Sequence, residues 1–369
     1  MIKKLLFLFM TIVIIGCLIL GVCFIKNSDI FTPYPETVFL NISDSSAKPV
    51  YELLTTEEQA VYSALFNGIS AKNESIPLPY DITGDTYSKI YCILEKQEGS
   101  FFYIDSTYYT AQKIRNAKIV MREDVGEIDD KINQLESVVN NIISGAPDGD
   151  DYGKALYIHD KIAEICTYNI GDEYRYSATA YGCLVDGQAN CEGYAKAFNY
   201  LAGRLGMKCI LVTGKTNNGE NHAWNQVLID DDWYNIDVTW DDMDYADGVR
   251  RVYFLCSDDV FGCTHIADNL YFTPFVCNSD SNNYYVRNGF FARDNSEADT
   301  IIRRELDTGN HVIELKFADN QAYDNFKSEY ITGQKVFDLI LDSGYVGDGQ
   351  ISLTLRETEE EFCMTMDFS

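Results

Sequence analysis

Residues 187–242 read GQANCEGYAKAFNYLAGRLGMKCILVTGKTNNGENHAWNQVLIDDDWYNIDVTWDD. Asn190 suits an N-cap, and Tyr194, Ala197, Phe198, Leu201 and Leu205 recur behind it at helical spacing, up to Gly206 as a C′ glycine. Cys191 then falls in the first turn, where free N–H groups and the positive helix end favour a thiolate, the form that acts as a nucleophile. Past Gly206 the pattern alternates. Cys209–Thr213 reads as a strand, Gly214–Asn221 as a polar turn, and His222–Ile229 and Trp233–Trp240 as strands joined at Asp230–Asp232. A two-residue loop at Asp230-Asp231 sets Ile229 opposite Asp232, and by the same count His222 opposite Thr239 and Trp224 opposite Asp237. His222 and Asp237 are then diagonal neighbours on one face, roughly 7–8 Å apart at the backbone; a three-residue loop puts them on opposite faces. With the helix N-terminus docked over that face, a nucleophile, a base and an orienting carboxylate are assembled.

The segments NCEGYAKAF (190–198), ENHAWNQV (220–227) and WYNIDVTWDD (233–242) resemble the transglutaminase-like superfamily, its bacterial members in particular. The resemblance continues upstream through Ser177–Gly187 and Ala155–Asn169. It implies an α+β fold with a papain-like core: a helix bearing the Cys, packed on an antiparallel sheet bearing the His and Asp. Carried over, Cys191 is the nucleophile, His222 the general base and acid, and Asp237 the carboxylate that orients the imidazole. Relatives commonly carry a glycine where this chain has Asp230-Asp231-Asp232. Papain-type proteases place their His and Asn roughly 130–150 residues beyond the Cys. Here His222 follows Cys191 by 31 positions and Asp237 follows His222 by 15, which favours the transglutaminase-like reading.

The implied chemistry is attack of the Cys191 thiolate on an amide carbonyl of a protein or peptide substrate, protonation of the leaving amine by His222, and an acyl-enzyme. The Cys191 N–H and one further donor would hold the oxyanion, with Gln188 a candidate. Bacterial relatives lean to hydrolysis, so a protease or deamidase ranks ahead of cross-linking. The alternative is a non-catalytic cell-surface binding or scaffolding protein that retains the fold; an intact Cys, His and Asp speaks for the enzyme.

Outside this core the chain reads as a series of segments. Residues 1–26 begin MIKK and continue with 21 apolar residues, Leu5–Ile25, enough to span a bilayer as a helix. Lys3 and Lys4 precede the run, so the bulk of the protein is expected outside the cell membrane, tethered by an uncleaved signal anchor. A second reading takes Ile14-Ile15-Gly16-Cys17 as a lipobox, with Cys17 lipidated. Residues 27–49 read as a polar stalk, 50–125 as an N-terminal α+β module, 126–277 as the catalytic domain and 278–369 as a C-terminal α+β module. In the N-terminal module Tyr51–Asn67 and Ser88–Glu95 read as helices, Ser100–Asp105 and Ala117–Arg122 as strands, and Phe101, Phe102, Tyr103, Tyr108 and Tyr109 as core. In the C-terminal module Tyr284–Ala292 and His311–Phe317 read as strands, Gln321–Ile331 and Gln334–Asp342 as helical, and Ile351–Arg356 with Glu361–Asp367 as a hairpin.

Composition narrows the partners. The 369 residues hold 29 Lys+Arg against 57 Asp+Glu, a formal charge of −28, which opposes binding to nucleic acid or anionic lipid. No C-x-x-C, P-loop or G-x-G-x-x-G occurs, and the four histidines have no zinc-like spacing, so neither a cofactor nor a metal is expected. Asp241–Gly248 is rich in carboxylates but lacks EF-hand spacing and reads as a solvated loop. Asp129–Ile143 and Lys154–Cys166 read as helices. His159 and Asp160 are neighbours on the second; adjacent helical side chains diverge, so no second acid/base site is expected there.

Overall fold

The computed structural model describes residues 33–41, 49–109, 112–169, 171, 174–242, 249–344, 351–358 and 361–368. The expected anchor and part of the stalk lie outside them. Among the described residues no helix is long and apolar enough to cross a membrane. The chain divides into two compact units, one running to Asn140 and including Asn269–Thr273, the other made of Asn141–Asp268 and Pro274–Ser369.

The first unit includes the helices α1 (Thr56–Ser70) and α2 (Gly84–Gln97) and the strands β1 (Ser75–Ile82), β2 (Ile104–Tyr108) and β3 (Ile114–Met121). The strands form an antiparallel sheet in the order β1-β3-β2. Strand β1 was not expected from the sequence: Pro77 and Pro79 remove ladder donors, which restricts it to the sheet edge it occupies. The strand expected at Ser100–Asp105 starts later, because Gly99–Phe101 first makes a 3₁₀ turn. The aromatic cluster divides accordingly: Phe101, Phe102 and Tyr103 are buried, whereas Tyr108 and Tyr109 are 53% and 46% exposed. Helix α3 (Val125–Ser144) leads out of this unit.

In the second unit, α4 (Asp151–Ile165) is capped by Asp150, whose carboxylate accepts from the Gly153 amide at 2.9 Å. Strands β4 (Thr167–Tyr168) and β5 (Gln188–Ala189) pair in parallel and lead into α5 (Cys191–Arg204). Helix α5 packs on a four-stranded sheet of β6 (Cys209–Thr216), β7 (Asn221–Ile229), β8 (Asp232–Ile236) and β9 (His265–Ala267), in the antiparallel order β8-β7-β6-β9. This is the α+β arrangement expected. Strand β6 runs further than expected, leaving only 217–220 as the turn.

Ile229 faces Asp232, as the two-residue count required. Asp230 and Asp231 have φ of 49° and 71°, both left-handed, the requirement of a type I′ turn. The strand expected to run from Trp233 to Trp240 stops at Ile236. Asp237 instead caps a helical turn, α6 (Val238–Asp241), by accepting from the amides of Thr239 and Trp240 at 2.9 and 3.3 Å.

The C-terminal sheet has the order β10-β11-β13-β12, from β10 (Phe291–Ala292), β11 (Val312–Phe317), β12 (Leu353–Thr358) and β13 (Cys363–Phe368). Its closing hairpin was legible in the sequence. Tyr284–Ala292 departs from the expected strand: Asn283 caps a helical turn at Tyr284–Arg287, and only Phe291 and Ala292 pair. Helix α7 (Asn295–Asp307) had not been expected; Asp294 caps it, and Ala298, Ile301, Ile302 and Leu306 form its buried stripe. These pack with Phe317, Phe326, Met364 and Phe368 in a separate core.

Candidate active site

Cys191 is the first residue of α5. The Asn190 side chain accepts from the amides of Glu192 and Gly193 at 3.1 and 3.2 Å, leaving the Cys191 amide as the first-turn donor that the cap does not use. At the other end Met207 donates to Ala202 and Gly206 to Gly203, at 2.9 and 3.0 Å, with Gly206 at φ 78°. This is a Schellman stop at the expected glycine. Two features missed at the sequence level dock the helix. Asn225 on β7, 1% exposed, donates to the Ala195 carbonyl at 3.0 Å and to the Ile210 carbonyl at 3.2 Å, tying helix to sheet. Gly193 faces the 177–189 segment so closely that a Cβ would meet the Ser177 carbonyl oxygen and lie 2.7 Å from the Ala189 Cβ.

The half-buried Cys191 side chain packs on Ala195, Leu211 and Ala223. It lies close enough to the His222 ring to help raise the imidazole pKa. The Nε2 of His222 lies 2.7 Å from Asp237 Oδ2, which leaves Nδ1 as the ring nitrogen available to the thiol. The three predicted residues therefore meet. Asp237 reaches the ring from a helix cap rather than from a strand, with its Oδ1 committed to the cap amides.

Burial opposes the charged imidazole of His222, but Asp237 and then Cys191 outweigh it, and its pKa is pushed up to about 10. Burial likewise opposes the Asp237 carboxylate, yet His222 and His265 hold its pKa well below the usual carboxylate range. Trp224 and Trp240 flank the His222 ring, with centroids at 6.2 and 5.4 Å. Trp233, by contrast, stacks on Phe275 at 4.1 Å.

Tyr168 was not singled out as a site residue. Burial and the charges of Cys191 and Asp237 push its hydroxyl up to about 12. Gln188 pairs across from Thr167, and its Oε1 accepts from Asn169 at 2.7 Å, which fixes the amide.

His265 is a second missed residue, 28 positions beyond Asp237. Its Nε2 lies 3.0 Å from the same Oδ2 that His222 uses. Among the described residues His222, Asp237 and His265 are the group whose potential ligand atoms all lie within 4.8 Å of one another. Both nitrogens sit at hydrogen-bonding distance on one oxygen, so the group is a closed hydrogen-bonded fork.

The readings of His159 and Asp241 need correction. His159 Nδ1 meets Asp160 at 2.9 Å despite their adjacency on α4, and its Nε2 meets Asp241 at 3.1 Å. Asp241 is not solvated: it is fully buried and accepts from the amides of Val252 and Tyr253. His159 is also fully buried, so the group ties α4 to α6 and offers no open acid/base site. The rest of the carboxylate-rich loop, 243–248, lies outside the described residues.

Residues 136–238 match the family model of the transglutaminase-like superfamily, a range that includes Cys191, His222 and Asp237. The chain is 28% identical over 126 residues to the kyphoscoliosis peptidase of Homo sapiens, covering 28% of this chain and 19% of that protein. The chain thus spans about a fifth of the length of that relative. A solved transglutaminase structure is 16% identical with a TM-score of 0.28, covering 38% of this chain and 45% of that one. A Cytophaga hutchinsonii protein, named only provisionally as a cysteine protease, is 16% identical with a TM-score of 0.25, covering 37% of this chain and 61% of its own.

Proposed function

Residues 136–238 form a domain of the transglutaminase-like superfamily, and from that premise we propose that the protein is a thiol enzyme acting on amide bonds of proteins or peptides. The observation that carries the reading is a thiol at a helix N-terminus together with a His222 imidazole whose Nε2 lies 2.7 Å from Asp237 and whose pKa the thiol helps to raise. His222 takes the thiol proton at Nδ1. The thiolate adds to the amide carbonyl carbon, and the carbonyl oxygen becomes an oxyanion received by the Cys191 amide and a second donor, Gln188 or Tyr168. Collapse of this intermediate breaks the C–N bond while the imidazolium returns its proton to the leaving amine. Water, deprotonated by His222, then releases the acid and restores the thiol. Hydrolysis ranks ahead of transfer to a lysine amine, and the name of the human relative, a peptidase, supports that order. Asp237 remains ionised throughout, holding the Nε2–H tautomer and balancing the imidazolium.

The 21-residue apolar run at Leu5–Ile25 supports a membrane tether with this domain outside the cell. The deciding experiment incubates the protein with unfolded polypeptide substrates, with and without a primary amine, and reads products by mass spectrometry. Cleavage or glutamine deamidation that vanishes in Cys191→Ala is expected. Wild-type products formed equally by Cys191→Ala, or none from the wild type, overturn the reading.

A further inference from the structure

Asp237 has only two carboxylate oxygens, and four donors converge on them. Oδ1 serves the amides of Thr239 and Trp240, while Oδ2 serves the Nε2 atoms of His222 and His265 at 2.7 and 3.0 Å. The cap amides hold Oδ1 and leave Oδ2 to the two rings. His265 is the inner member of the fork, 4% exposed. Phe261 stacks on it at 3.9 Å, and Trp240, Trp224 and Tyr253 surround it at 4.5, 5.2 and 5.4 Å. Its Nδ1 lies 2.8 Å from the Thr264 hydroxyl, which sets the ring orientation. Gly214, opposite Ala267 on β9, makes room for this strand, since a Cβ there would strike the Ile266 carbonyl oxygen and lie 2.7 Å from the Trp224 ring. A buried imidazole with both nitrogens committed, and no path to a substrate, has its effect through the carboxylate it touches.

We propose that His265 is a positioning residue for the Cys191–His222–Asp237 triad: its imidazole pins the Asp237 carboxylate and shares Oδ2 with His222. The proposal rests on the triad reading above. A carboxylate oxygen that already accepts one strong hydrogen bond is a weaker acceptor for the second. His265 therefore moderates the hold of Asp237 on His222, so that the imidazolium can still release its proton to a leaving amine. The ionisable groups facing this fork are Cys191 on α5, which acts on His222, Tyr168 on β4, which acts on Asp237, and Tyr253, whose ring lies against His265 and whose hydroxyl is bonded to Glu361. None of these donates to Oδ2, which is left to His222 and His265.

The test uses the full chain and two variants, His265→Leu and His265→Gln, the latter keeping an N–H at the position of Nε2. Alkylation of Cys191 by iodoacetate, an anion drawn to a thiolate–imidazolium pair, is followed against pH. Its alkaline limb reports His222 losing its proton. In His265→Leu that limb moves upward by about half a pH unit or more, and His265→Gln restores it towards the wild type. A folded His265→Leu protein with the wild-type profile overturns the positioning role and leaves the triad standing. A wild-type protein whose Cys191 alkylates no faster than an unfolded peptide removes the triad, and this role with it. If His265→Leu does not fold, ¹⁵N spectra of the wild-type protein decide, since it contains only four histidines. A proton on Nε2 of both His222 and His265 at neutral pH is expected, and a bare Nε2 on His265 overturns the proposal.

Discussion

Replacing Asp237 with Asn isolates the carboxylate charge with little change in shape. The Asn Oδ1 can stay on the Thr239 and Trp240 amides, so the cap of α6 survives. Its NH₂ group then points at Nε2 of both His222 and His265, donor against donor. Each ring must move its hydrogen to Nδ1. At His222 this directs an N–H, rather than a lone pair, at the Cys191 thiol. The pKa of His222 rises from its ordinary 6.5 to about 10 with Asp237 and Cys191 as partners. At about 1.4 kcal/mol per pKa unit that margin is on the order of 5 kcal/mol, of which Cys191 supplies part. Assigning half or more to Asp237 predicts a loss of about 10²- to 10⁴-fold in the second-order rate of Cys191 alkylation at neutral pH and in amide turnover. Circular dichroism and a thermal melt establish that the variant is folded. A folded Asp237→Asn protein whose alkylation and turnover stay within about threefold of the wild type would refute the reasoning, because the cost of the wrong tautomer could not then be real.

Other expectations are checked more simply. Cys191 should alkylate with iodoacetamide at least about tenfold faster than the exposed Cys263, by peptide mass spectrometry near neutral pH, because exposure without a helix N-terminus and an imidazole does not make a thiolate. Gly193→Ala should lower stability by about 1–3 kcal/mol in chemical denaturation and slow Cys191 alkylation, since the added methyl pushes the first turn of α5 off Ser177 and Ala189. The raised pKa of His222 contributes stability that is complete below its unfolded value and is lost as pH rises through about 10. The depressed pKa of Asp237 contributes stability present above the unfolded carboxylate value and lost as pH falls through the folded one. Thermal midpoints across pH should fall on both sides of this window, less steeply in Asp237→Asn. EDTA should change neither the midpoint nor Cys191 alkylation; a loss that calcium restores would reveal an ion role for the acidic loop.

The parts of the site legible in the sequence were those governed by local rules. Asn190 and Gly206 bound a helix with strong end signals, and a two-residue hairpin loop fixes register by counting. The same counting carried the strand too far at Asp237. Val238, Thr239 and Trp240 have strand-like propensities, but the Asp237 side chain captures their amides and starts a helical turn. His265 was illegible for a different reason. It comes from a three-residue edge strand whose partner is β6, and nothing near it in the chain announces that β9 will close on the far side of the sheet. Asn225 is similar, a polar residue in an apolar strand whose reason is a helix backbone 30 positions away. His159 and Asp241 misled because adjacent helical side chains diverge by default and a carboxylate-rich run is solvated by default, and both defaults yield in the buried contact between α4 and α6.

The turn at Asp230 and Asp231 gives this protein an arithmetic vulnerability. Its two left-handed residues follow Ile229, at the other end of β7 from His222, and replacing them with Asn and Gly should ease the backbone by relieving two unfavourable φ values. Adding one residue is another matter. Side chains alternate with period two, so an odd insertion inverts the parity of everything between the turn and Asp237, sending Tyr234 and Ile236 outward before the cap is reached. The spelling of the turn is open to drift, while its length is held by the chemistry at the far end of the hairpin. Natural variation should therefore run among Asn, Asp and Gly at 230 and 231 and almost never through their number.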